Sequence, residues 1–172
     1  MRNNRGVTLI MLVITVIVLI MLTTFAVYYS QDIAPEARLA TAYSSLKEVK
    51  TACMEAKSAI ELRPDLYDEY DFFGKNIFLD GSDVEDLATR CGLTSSDEFS
   101  KEHTYKISPE LDDENKRRIE KLEISSVDRI YICDIENNNY YLVNGVKRKT
   151  GSMYYEYKDI QYMYEMLTET KD

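Results

Sequence analysis

Histidine occurs once, at His103, and cysteine three times, at Cys53, Cys91 and Cys133, with no CxxC pair. A structural zinc site needs four such ligands at close spacing, so none is expected. No G-x-S-x-G, P-loop, dinucleotide fingerprint or HExxH occurs, and neither an enzymatic role nor a cofactor is expected. His103, alone in "KEHTY", reads as a solvated loop residue. Tryptophan is absent, and tyrosine, with 14 copies, supplies the large rings. A ring with a polar tip suits a small, half-wet domain. In an exported domain three cysteines leave room for one disulfide, with Cys91–Cys133 the expected pair. The other reading keeps all three as small buried hydrophobes.

Charge is missing from one long stretch. No Asp or Glu precedes Asp32, and nothing charged lies between Arg5 and Asp32. Taking Arg2 and Arg5 from the net −9 leaves −11 on the remainder. Such a surface repels nucleic-acid phosphates and anionic headgroups. The uncharged stretch, Val7–Tyr29, covers about 34 Å as a helix, enough to cross a hydrocarbon core. Its threonines, Thr8, Thr15, Thr23 and Thr24, can bond back to the helix's own carbonyls. Tyr28 and Tyr29 stand where an interfacial aromatic belt would lie. Arg2 and Arg5 before the run, with Asp32 and Glu36 after it, put the N-terminus in the cytoplasm and the acidic part outside. A cleaved secretory signal fits poorly, because the run is too long and lacks an A-x-A-like site.

The junction "RG-VTLI" is more specific. A short basic leader, residues 1–6, ends in Gly6, and the apolar run begins at once with Val7, Thr8, Leu9 and Ile10. This resembles the class III signal of type IV pilins and type II secretion pseudopilins. The resemblance implies cleavage by a prepilin peptidase between Gly6 and Val7, methylation of the new N-terminus at Val7, and an assembly helix over 7–29. The family usually has glutamate at the fifth position after the cut, where this chain has Met11. A buried amine needs an anionic partner, which methionine cannot supply. The resemblance therefore points to a minor pilin or pseudopilin rather than a self-polymerising main subunit. Thr8, Leu9, Ile10 and Met11 become assembly residues, and other pilin subunits and the cytoplasmic membrane become partners.

From Glu36 to Arg63 the pattern predicts a helix. Leu39, Tyr43, Leu46, Val49, Cys53, Ala56 and Ile60 form one apolar stripe, and Pro64 ends it. Pro35 would kink a continuous helix or separate two. Residues 30–63 thus read as an amphipathic continuation of the spine, and 64–172 as an extracytoplasmic head. Ser82 begins a capping-box pattern for a short helix over 83–91, with Gly92 as its stop. The acids of "DGSDVED" lack calcium-loop spacing, so capping is the better reading. Ser108 as N-cap and Pro109 as first residue predict a helix to Leu122, with Leu111, Ile119 and Leu122 on one face. "VDRIYICDI", "YYLV", "VKRK" and "SMYYEY" predict four antiparallel strands over about 127–157, with "NG" a hairpin turn. Such a small sheet must bury a face, and the stripe of 39–60 is its natural partner. Ile160, Met163, Tyr164 and Leu167 predict a closing helix.

The expected fold is α+β, a long N-terminal helix packed on a small C-terminal antiparallel meander, as the pilin resemblance implies. The expected function is a structural subunit of a surface filament, a pseudopilus or a secretion or DNA-uptake machine. It would pass once through the cytoplasmic membrane with its head outside. The alternative is a membrane-anchored extracytoplasmic binding or sensing domain. Lys147, Arg148 and Lys149 near Tyr154, Tyr155 and Tyr157 resemble a single-strand nucleic-acid patch. Against −11 on the domain they read instead as a guarded sheet edge, and no nucleic-acid partner is expected.

Overall fold

The computed structural model describes residues 5–110, 112–148 and 151–169, with backbone alone over 5–12 and 25–34. One helix, α1 (Arg5–Leu62), runs through both the uncharged and the amphipathic stretch and contains Pro35. No glycine interrupts it after Gly6, and it ends just before Arg63-Pro64, as the sequence predicts. Its stripe is buried as expected. Leu39, Ala42, Leu46, Val49, Cys53 and Ala56 enter the core, with Tyr43 and Ile60 packed at its margin. Each large aliphatic side chain buried this way contributes about 1.5–3 kcal/mol.

The partner of that stripe is a four-stranded antiparallel sheet in the order β1-β2-β3-β4. Its strands are β1 (Thr104–Ile107), β2 (Tyr131–Asp134), β3 (Asn139–Lys147) and β4 (Met153–Glu156). The fold is thus α+β. Two expectations need correction. The first strand comes from "TYKI", well upstream of the predicted meander, and pairs Tyr105 with Cys133. "YYLV" and "VKRK" are one strand, because Asn144-Gly145 is an irregularity inside β3 rather than a hairpin. Both residues have positive φ, 65° and 56°. At Gly145 a Cβ would lie 2.6 Å from the Tyr154 carbonyl oxygen, so glycine is required.

The sheet buries both faces. Tyr105, Ile107, Tyr131, Cys133, Tyr140, Leu142 and Val146 face α1. Ile132, Tyr141 and Val143 face the opposite way, onto Ile77, Leu87, Ala88, Cys91 and Phe99. That second layer centres on α3 (Val84–Arg90), whose N-cap is Asp83 rather than Ser82. The Asp83 carboxylate accepts from the Asp86 amide at 3.1 Å. The helix α4 (Asp113–Lys121) is shorter than predicted and is capped by Asp112, which accepts from the Asn115 amide at 2.7 Å. Ser108 instead accepts from Glu110 in a local turn, and Leu111 lies outside the described residues. The short α2 (Glu69–Phe73) carries a capping box from Asp68. The closing helix, α5 (Tyr157–Glu169), lies on α1, where Tyr43 stacks on Tyr164 and Lys50 sits 4.1 Å over the Tyr157 ring.

Arg118 fastens three segments together. Its side chain is 2% exposed and donates to the carbonyls of Phe73, Lys75 and Lys106, with Glu114 3.7 Å away. Buried carbonyls need a donor, and a guanidinium fork can serve several at once. The Cys91–Cys133 pair is not formed. All three cysteines are free and buried, and Cys91 and Cys133 lie on opposite faces of the sheet.

Candidate assembly surface

The predicted processing and assembly residues, Gly6, Val7, Thr8, Leu9, Ile10 and Met11, lie in the first turns of α1, with side chains outside the described residues. Further along, the large apolar side chains from Val13 to Leu22 are 47% to 61% exposed, on every face of the helix. Thr23 and Thr24 donate to Leu19 and Ile20 carbonyls at 2.7 and 2.8 Å, as the sequence predicts, which hides their hydroxyls from an apolar surrounding. Among the described residues, no helix is long and apolar enough to cross a membrane. The described side chains of the uncharged run end at Thr24, and those of Tyr28 and Tyr29 fall outside them.

A second apolar surface surrounds the other end of α1. Met54, Leu62, Leu66, Tyr67 and Tyr70 are all exposed there, beside two grooves that share Ala59, one lined by Phe72 and the other by Ser58. Lys147 ends β3, and Arg148 begins the turn that joins it to β4. The Arg148 amide bonds the Ser152 carbonyl at 2.9 Å, and its guanidinium approaches the Met163 sulfur at 4.0 Å. Lys149 lies outside the described residues.

The most chemically suggestive cluster in the head is Glu69, His103 and Tyr105. One carboxylate oxygen of Glu69 meets His103 Nδ1 at 2.7 Å and accepts the Tyr105 hydroxyl at 2.6 Å. His103 is therefore a half-buried bonded residue, not the solvated loop histidine expected. The hydrogen bond to Glu69 raises the His103 pKa, while burial followed by the same carboxylate pushes the Tyr105 hydroxyl well above its usual range. Both bonds fall on one oxygen of Glu69, so the cluster clasps α2 to β1. Asp134 plays a similar part deeper down. It accepts from the Ser100 amide, the Asn137 amide and the Asn137 side chain at 2.9–3.0 Å. Among the described residues, no group of three ligand side chains is arranged to hold a metal ion, and every buried side-chain nitrogen or oxygen has a partner.

No family model matches the chain, and no curated protein or solved structure matches it. The exposed apolar helix therefore has to be read from its own chemistry. A helix that is apolar all round is at home only in an apolar surrounding. Hydropathy found this surface in the sequence. Nothing in the sequence pointed to the Glu69 clasp, which joins residues 34 apart and depends on where β1 lies.

Proposed function

We propose that the chain is a type IV pilin-like structural subunit, of the minor pilin or pseudopilin kind, processed by a prepilin peptidase after Gly6. The carrying observation is that one helix is apolar on every described face between Val13 and Leu22 and then, without a break, buries a single stripe against a sheet. The first part suits either lipid or a bundle of like helices, so a subunit can move between them without exposing apolar area to water. The second part fixes the head rigidly to that helix. Met11, in place of the family's glutamate, suits a subunit that caps or initiates a filament. The subunit would wait in the cytoplasmic membrane with its head outside, then join a surface filament or pseudopilus.

Intact mass of the protein from native membranes tests this. Loss of Met1–Gly6, with or without one added methyl, is the expected result, and Gly6→Ala should abolish the loss. A mature mass that keeps the leader would overturn the proposal and leave an anchored domain.

A further inference from the structure

Of the eight asparagines in the sequence, Asn144 alone precedes a glycine. The pair sits in the irregular stretch of β3, where residues 142–145 lie between the Tyr141–Glu156 and Val146–Tyr154 pairings and only Tyr155 stands opposite them on β4. A ladder cannot match four residues to one, so β3 bulges there. The Asn144 side chain is exposed, and its Oδ1 accepts from Nε of Arg90, the last residue of α3, at 3.1 Å. Arg90 also meets Asp86 at 3.2 Å. The Gly145 backbone is closely packed, since a Cβ on it would strike the Tyr155 ring as well as the Tyr154 carbonyl.

We propose that Asn144 is a modification site, losing its side-chain amide through a cyclic imide with Gly145 whenever the Arg90 bond lets go. The nucleophile is the Gly145 backbone nitrogen, which no Cβ shields. It attacks the Asn144 side-chain carbonyl carbon, and a new C–N bond forms as the bond to the side-chain nitrogen breaks. The Gly145 nitrogen gives up its proton, and the departing nitrogen takes one up and leaves as ammonia. Water then adds to either carbonyl of the five-membered ring and opens it, to aspartate or to isoaspartate. No oxidant or reductant is involved. Ring closure needs the Asn144 side chain to swing onto its own backbone. Arg90 anchors that side chain on α3 instead, and the packed Gly145 backbone resists the rotation. Reaction in the folded chain therefore waits on local opening. The aspartate product places a carboxylate where Arg90 already donates. The isoaspartate product lengthens the β3 backbone by a methylene between its two pairings with β4.

The test incubates the full-length chain, folded in detergent micelles, in mildly alkaline buffer beside a sample in urea, and follows the peptide masses over time. Position 144 should gain the mass difference between an amide and an acid. Asn137 and Asn138, exposed in the turn before β3 but not followed by glycine, should keep their amides far longer. The folded chain should react at least about tenfold more slowly than the chain in urea. Arg90→Met should speed the folded reaction about fivefold, the worth of one hydrogen bond, and leave the rate in urea as it was. Asp86→Asn cuts the ion pair on the same arginine but spares the Asn144 bond, and should leave both rates unchanged. An amide kept at 144 in urea, or lost sooner at 137 or 138, would overturn the site. Equal rates with and without urea would overturn protection by the fold. Arg90→Met no faster than wild type, or Asp86→Asn as fast as Arg90→Met, would overturn the hold by Arg90. The leader plays no part in this assay, so its outcome is independent of the proposed function.

Discussion

Replacing Arg118 with methionine removes a donor group shared by three segments. The carbonyls of Phe73, Lys75 and Lys106 lose their partner together, and among these bonds only that to Phe73 is fully buried. An unmade bond at a buried carbonyl costs about 2 kcal/mol, and at a half-wet one about 1. The gross loss is about 4 kcal/mol. Removing a desolvated cation returns about 1, because its burial was itself costly. A net loss of about 3 kcal/mol lowers the melting temperature of a head this size by roughly 10–15 °C. Near-UV tyrosine ellipticity of the full chain in detergent would follow the transition. Arg117→Met is the matched control. Arg117 is exposed and meets Tyr70 through its carbonyl at 3.1 Å and its ring at 5.1 Å, so its loss should stay within about 1 kcal/mol. If the two variants melt together, the view of Arg118 as a fastener is wrong.

His103 should make stability depend on pH. Its folded pKa is raised by Glu69, with smaller contributions from Glu136 and Glu102. The contribution is therefore full below the unfolded value of about 6.5 and is lost as pH rises through the folded one. Chemical denaturation of wild type and His103→Gln should show a stability gap at pH 5.5 that narrows by pH 8.5, and a constant gap would refute the clasp. Gly145→Ala should cost about 2–3 kcal/mol, since its Cβ would strike the Tyr154 carbonyl at a positive φ. Gly81→Ala, equally left-handed but with nothing within 4 Å, should cost only about 1 kcal/mol in the same urea titration. Leu46→Ala, at a fully buried stripe position, should lose about 2–5 kcal/mol.

Periodicity made the helices legible wherever one face was apolar. The stripe from Leu39 to Ala56 and the closing helix through Ile160 and Met163 follow from it directly. What escaped notice depended on partners distant in sequence. "TYKI" is too short to alternate visibly, and it is a strand because Cys133 and its neighbours pair with it. Asn144-Gly145 has ideal hairpin chemistry, yet the strand runs on through it with a register shift, and Val146 pairs with Tyr154. Ser108 was the expected cap, but Asp112 takes that place by accepting from both the Asn115 amide and its side chain. Arg118 shares its buried face with Asn115 and Leu122, and no pattern around it in the sequence marks it as buried. Of the candidate surface, hydropathy exposed the apolar run and nothing exposed the apolar end around Leu62 and Tyr67.

The continuity of α1 through Pro35 also has a mechanical consequence. A pull along the apolar half reaches the head down the helix axis, parallel to the seam between the stripe and the sheet. The contacts of Leu39, Leu46, Val49 and Ala56 then share the load in shear, side by side. Peeling would break them one at a time. A head carried this way can be dragged by its tail with its fold intact.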